Sequence, residues 1–236
     1  VILGGARTAI GTFGGALAGT PATKLGATVA RAALARAGVE GGQIGHVVFG
    51  NVINTEPRDM YLSRVAAMEA GGPDAVPAMN VNRLCGSGVQ AIVSAVQSLM
   101  LGDADYALAG GAESMSRAPY IMPAARWGQK MGDVAAMDML LGTLNCPFGT
   151  GHMGITAENV AGEHEVTRAQ QDAFAVLSQE RAAAAIAAGH FAEQIVPVEV
   201  RRGRDTVAFD VDEHPKATTL DKLAGLRPVF QKDGSV

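Results

Sequence analysis

The stretch VPAMNVNRLCGSGVQAIVSAVQSLML, residues 76–101, joins a short strand-like run to a helical pattern through a turn of small residues. Residues 76–82 read as a strand. Beyond the turn, Val89, Ile92, Val93, Val96, Leu99 and Met100 recur at spacings of three and four, which predicts an amphipathic helix over 87–101 ended by Gly102-Asp103. Working outward, HVVFGNVI (46–53) and DYALAG (105–110) are further strand-like runs bounded by Gly, Pro or Asp. Leu25, Val29, Ala32 and Leu34, followed by Gly38, predict an earlier helix. Strands alternating with helices imply an α/β unit with a mainly parallel sheet over residues 1–112.

After Gly110-Gly111 the texture changes. Residues 113–155 are rich in Met, Pro and Gly, with poor periodicity and no clear strands, and read as long shaped loop. Order returns at Thr167-Arg-Ala-Gln170, a capping-box pattern that opens an Ala-rich helix running to Gly189. IVPVEV (195–200) and TVAFDV (206–211) flank the basic turn 201–204 and read as a hairpin. Two segments are therefore expected, 1–112 and 113–236.

Bulk properties narrow the function classes. The chain has 236 residues, 48% of them hydrophobic and only 5% aromatic, which suits a compact globular protein with a substantial core. A net charge of -4 and a pI near 5.7 exclude a general nucleic-acid binder, which needs a dominant basic face. No apolar run approaches the roughly 18 residues needed to span a bilayer, so a cytoplasmic protein without membrane partners is expected. Cys85 and Cys146 are too few for a disulfide framework or a structural zinc site, and the histidines lack ligand spacing, so no metal is expected. The string Gly149-Thr-Gly-His-Met-Gly154 satisfies G-x-G-x-x-G but lacks a preceding strand and a βαβ context, so a dinucleotide site is not inferred.

Cys85 sits where a strand's carboxyl end meets a helix N-terminus. Unpaired N–H groups and the positive end of the helix dipole favour thiolate there, and the glycines after it open an approach to sulfur. Its own N–H could help hold an oxyanion. A buried small hydrophobe at a tight turn fits the same residues, and no histidine pairs with Cys85 by inspection.

Longer strings carry more. RTAIGTFGG (7–15), NRLCGSGVQAI (82–92), GGAESMSRAPY (110–120), HMGITAENVA (152–161), TRAQQDAFAVLSQ (167–179) and TLDKLAGLRPVF (219–230) resemble the thiolase family, the acetyl-CoA acetyltransferases and 3-ketoacyl-CoA thiolases, in matching order along the chain. FGNVINTEPRDMYLSRVAA (49–67) looks most like bacterial β-ketothiolases. The resemblance implies an α/β thiolase-like fold, with an N-terminal core domain at 1–112 and an inserted, coenzyme A-binding loop domain at 113–236. It implies a nucleophilic Cys85 that takes an acyl group from an acyl-CoA and passes it on in a reversible Claisen condensation. CoA or acetyl-CoA is then a substrate, with no permanently bound cofactor. His152 and Met153 match positions lining the pantetheine tunnel, and Lys216 matches a basic position near the nucleotide end.

The resemblance also implies an activating histidine and a second catalytic cysteine from C-terminal motifs that residues 1–236 do not contain. Cys146 does not match that cysteine and is expected to be an unreactive thiol. A C-terminal half and a homodimer or homotetramer are accordingly expected, since the core domain lacks its last strand and helix. Two alternatives remain at this point: a catalytically silent acyl-CoA- or lipid-binding relative or partner subunit, and a β-ketoacyl synthase-like condensing enzyme.

Overall fold

The computed structural model describes residues 1–236. Two compact units are present, Val1–Tyr120 with Gln194–Glu213, and Ile121–Glu193 with His214–Val236.

The first unit is organised by three parallel strands in the order β2-β1-β3: β1 (His46–Gly50), β2 (Ala78–Val81) and β3 (Ala107–Gly111). Two helices precede β2, α1 (Ala22–Ala37) and α2 (Leu62–Glu69), and α3 (Ser87–Leu101) connects β2 to β3. The central strand is apolar on both faces because both are covered. Val47 and Phe49 pack with Leu34, Leu62, Ala66 and Leu108 on the side of α1 and α2, whereas Val48 packs with Ala91 and Ala95 of α3. That two-sided burial is why the run reads as continuously apolar rather than alternating.

Both long helices end as their sequences dictate. Gly38 adopts a left-handed φ of 64° and donates to Ala35 O, while Val39 N donates to Leu34 O. Gly102, at φ 79°, does the same for α3, with its N–H on Leu99 O and the Asp103 N–H on Ser98 O. These are Schellman closures that a side chain at the glycine would strain.

Helix α3 corrects one expectation. Its sheet-facing stripe is Ser87, Ala91 and Ala95, whereas Val89 is 68% and Met100 81% exposed. Polar Gln90, Ser94 and Ser98 run beside the alanines, so the three-and-four spacing of the larger apolar residues marks the outward side and the small residues allow close approach to β1. The window Leu84–Leu101, with mean hydropathy 1.5, is also long and apolar enough to cross a membrane by length and composition. The expectation that no run approaches that length is thereby corrected; here the segment is the turn and helix laid on the sheet.

The hairpin β8 (Val198–Arg202) and β9 (Asp205–Phe209) belongs to the first unit rather than to the loop segment. Val198, Val200 and Phe209 pack with Ala9 and Leu25, and Arg7 makes a two-pronged ion pair with Asp212 at 2.8 and 2.9 Å. The units thus divide at Tyr120 with a return at 194–213, unlike the single boundary at 112. Arg201 and Arg202 are strand residues, so the turn is only Gly203-Arg204, with Gly203 at φ 66°.

The second unit holds more regular structure than its composition suggests. Short strands β4 (Tyr120–Ile121, opening just before the boundary), β5 (Met137–Asp138), β6 (Asn145–Cys146) and β7 (Gly151–His152) accompany α4 (Met139–Leu144). Helix α5 (Met153–Glu163) follows, then α6 (Arg168–Ala187), opened by the Thr167–Gln170 capping box, and α7 (Leu220–Ala224). The glycine-rich string at 149–154 spans a two-residue antiparallel ladder, Asn145 with His152 and Cys146 with Gly151, and then the start of α5. A strand does precede it, contrary to expectation, but it is two residues long and antiparallel.

The alanine stripe generates a test. Ala91→Leu forces bulk between α3 and Val48 and should destabilise the complete protein by about 1–3 kcal/mol, measured by urea denaturation; an unchanged midpoint would show that the α3–β1 contact is not tight.

Candidate active site

Cys85 lies in the turn that leaves β2 and enters α3, and it is exposed. The turn is built by its neighbours. Asn82 accepts the Leu84 N–H on Oδ1 at 3.0 Å, an Asx-turn that takes the chain off the strand. Gly86 N donates to Arg83 O and Ser87 N to Leu84 O, both at 3.0 Å. Ser87 Oγ accepts from Arg83 N at 2.9 Å and donates to Leu84 O at 2.6 Å.

At the centre of this net Leu84 has φ 47°, the left-handed region. A leucine there costs roughly 1–2 kcal/mol, which the surrounding hydrogen bonds, worth about 0.5–1.5 kcal/mol each, are able to offset. The consequence is geometric: the chain reverses at Leu84, so Cys85 stands immediately before the N-cap Gly86 of a 15-residue helix, at the end where anions are favoured.

Beside this turn, at the carboxyl ends of β1 and β2, is an open depression of about 240 Å³ lined by Asn51, Val52, Asn54, Met60, Asn80, Val81 and Asn82. Connections leave β1 toward α2 and β2 toward α3, on opposite faces of the sheet, and crevices form where strand connections diverge in this way. Two of these residues, Asn51 and Val52, are held by Glu113, whose Oε2 accepts from Val52 N at 2.9 Å and whose Oε1 accepts from Ile53 N at 3.1 Å and Asn51 Nδ2 at 3.0 Å. Burial pushes the Glu113 carboxyl above its ordinary value of 4.5; the Val52 and Ile53 N–H bonds pull it back, and the charge of Asp59 adds to the rise. Asp59 is fully buried, with Oδ2 accepting from Thr55 and Glu56 and Oδ1 without a partner in the chain.

His152 and Met153 adjoin each other at the head of α5 in the second unit. His152 is the N-cap, its Nδ1 accepting the Gly154 N–H at 3.0 Å, so in the neutral ring the proton is on Nε2, which is left as a donor. The ring stacks on Phe230 with centroids 5.0 Å apart and planes 18° apart. Gly154 makes room, because a Cβ at that position would run into the Phe230 ring. Met153 is partly exposed. Lys216 lies on a separate segment, its side chain exposed and its N–H donating to Gln179 Oε1 of α6 at 2.8 Å.

Cys146, expected to be an unreactive thiol, ends β6 at the start of the turn to β7. Hydrogen bonding from the Phe148 N–H, then from the Thr150 hydroxyl and N–H, holds the thiol below its ordinary value against a smaller opposing effect of burial. Those donors belong to the turn between β6 and β7, which composition alone does not reveal. Asn82, Ser87 and Glu113 were also missed as contributors to the Cys85 turn and its surroundings; the spacing Asn82-x-Leu84 is an Asx-turn pattern that could have flagged the first.

The Glu113 carboxyl sets a pH dependence. Because its folded value is raised, the folded state holds the proton over a window in which the unfolded chain has released it, so stability is greatest below 4.5 and is lost as pH rises through the folded value. Urea denaturation of the wild-type protein relative to Glu113→Gln should show a difference that falls as pH rises above 4.5. A difference that grows with pH contradicts this environment.

Residues 1–236 match the family described as "Thiolase, N-terminal domain". The chain is 59% identical to beta-ketothiolase BktB of Cupriavidus necator over 234 residues, 99% of this chain and 59% of that protein. It is 47% identical to an acetyl-CoA acetyltransferase of Pseudomonas aeruginosa over 239 residues, 100% of this chain and 61% of the relative. Among solved structures, a Bacillus anthracis acetyl-CoA acetyltransferase superposes with a TM-score of 0.95 at 41% identity, covering 100% of this chain and 60% of that one. A human mitochondrial 3-ketoacyl-CoA thiolase in complex with CoA gives 0.93 at 39% identity, covering 99% and 59%. The chain thus spans about three fifths of the length of these relatives. With its whole length matched, a parallel α/β unit and a cysteine followed by glycine at the head of α3, it belongs to the thiolase family.

Proposed function

We propose that the protein transfers acyl groups between coenzyme A thioesters, condensing acetyl-CoA with an acyl-CoA to a 3-ketoacyl-CoA and cleaving the product in reverse. The observation that carries this reading is the exposed Cys85 thiol, set by a left-handed Leu84 at the head of a 15-residue helix. A thiolate there attacks the thioester carbonyl, and the oxyanion collapses to expel CoA thiolate, which takes a proton, leaving acyl-Cys85. In the second half the α-carbon of acetyl-CoA gives up a proton and attacks the acyl carbonyl, returning the Cys85 thiolate. The proton-transferring histidine and second cysteine belong, on this reading, to motifs outside residues 1–236.

His152, Met153 and Lys216 are assigned to coenzyme A as substrate. The Nε2–H donor of His152 suits an amide carbonyl of the pantetheine arm, Met153 offers an adaptable apolar surface, and Lys216 offers a cation for phosphate. The CoA complex of the human mitochondrial relative supports this ligand class. A cytoplasmic homodimer or homotetramer completes the reading.

The test is thiolysis by the complete protein, supplied with a 3-ketoacyl-CoA and CoA. Wild type should turn over, and Cys85→Ser should lose at least about three orders of magnitude. Binding without turnover would favour a silent relative, and a preference for acyl-carrier-protein thioesters a β-ketoacyl synthase; either contradicts the proposal.

A further inference from the structure

The hydroxyl of Ser87 occupies an unusual place for a serine at a helix start. The N-cap is Gly86, which has no side chain to cap with, and Ser87 lies inside the first turn. Instead of capping forward it reaches backward, accepting from Arg83 N at 2.9 Å and donating to Leu84 O at 2.6 Å. Its own N–H also donates to Leu84 O, at 3.0 Å. Ser87 is only 6% exposed, and it is fixed from behind by β1, since a Cβ on Gly50 would stand 2.8 Å from the Ser87 Cβ. From the other side Asn82 Oδ1 holds the Leu84 N–H. Both polar groups of a left-handed leucine are therefore gripped, and Cys85 is the next residue.

Resting on the acyl-transfer reading, we propose that Ser87 is a positioning residue, its hydroxyl holding Leu84 left-handed so that the Cys85 sulfur is presented at the head of α3. A leucine freed from that grip relaxes toward extended or right-handed backbone, which carries Cys85 away from the helix terminus. Ser87 does not touch the acyl group. It acts through the backbone on either side of Leu84.

The experiment measures the rate of Cys85 acetylation by acetyl-CoA in the complete protein, for wild type, Ser87→Ala, Leu84→Gly and the double variant, per folded molecule as fixed by urea denaturation. Ser87→Ala should acetylate about tenfold more slowly, with KM for acetyl-CoA moving less than about twofold. Glycine takes the left-handed conformation without help, so the penalty of Ser87→Ala should shrink in the Leu84→Gly background. An unchanged acetylation rate in Ser87→Ala, full additivity of the two substitutions, or a crystal structure of Ser87→Ala with Leu84 still at positive φ would each overturn the inference. Wild-type protein that is never acetylated defeats the acyl-transfer reading instead, which keeps the two failures distinguishable.

Discussion

Gly50 and Ser87 meet where the carboxyl end of the central strand touches the first turn of α3, with no room for a side chain on the glycine. That contact fixes how α3 approaches the sheet, and Ala91 and Ala95 continue it along Val48. With the helix start pinned, the chain crosses from Val81 to Gly86 in six residues, with Leu84 in the left-handed region. A leucine is a poor choice for that backbone, and the fold retains it because Asn82 and Ser87 satisfy its N–H and C=O. Local strain held by surrounding hydrogen bonds is a recurrent property of sites that must present one atom in one place. On the proposed reading the atom is the sulfur of Cys85.

Glu113 extends the same economy to the neighbouring loop. Strand β1 stops at Gly50 although its apolar pattern runs on, because the N–H groups of Val52 and Ile53 turn to the Glu113 carboxylate instead of continuing the ladder. The cost is a half-buried carboxyl with a raised proton affinity. In the second unit His152 is used twice: one ring nitrogen caps α5, its face stacks on Phe230, and the remaining nitrogen is free to donate. A residue whose ring is oriented by its own backbone cap and by an aromatic partner is well suited to meet a ligand without reorganising.

Much of the first unit was legible. The strands at 46–50, 78–81 and 107–111 lie inside the predicted runs or within a residue of them, and Gly38 and Gly102 close the helices as their positions suggest. The errors have physical causes. Periodicity identified α3 but chose the wrong face, since alanines carry the sheet contact and the larger residues do not. The hairpin at 198–209 was grouped with its sequence neighbours, whereas its apolar side is buried on Ala9 and Leu25, far away in the chain. For the site, Cys85 was visible as a helix-terminal thiol and the thiolase resemblance gave it a role. The grip of Ser87 and Asn82 on Leu84 depends on a positive φ that no residue type announced, since leucine is the last residue expected there.

The central claim, that the Asn82–Ser87 turn presents Cys85 as the acyl acceptor, is tested most directly by peptide mapping of the complete protein quenched in acid after exposure to acetyl-CoA. The account predicts an acetyl group on the peptide carrying Cys85 and none on the peptide carrying Cys146. An unmodified Cys85, or a label confined to Cys146, would contradict it.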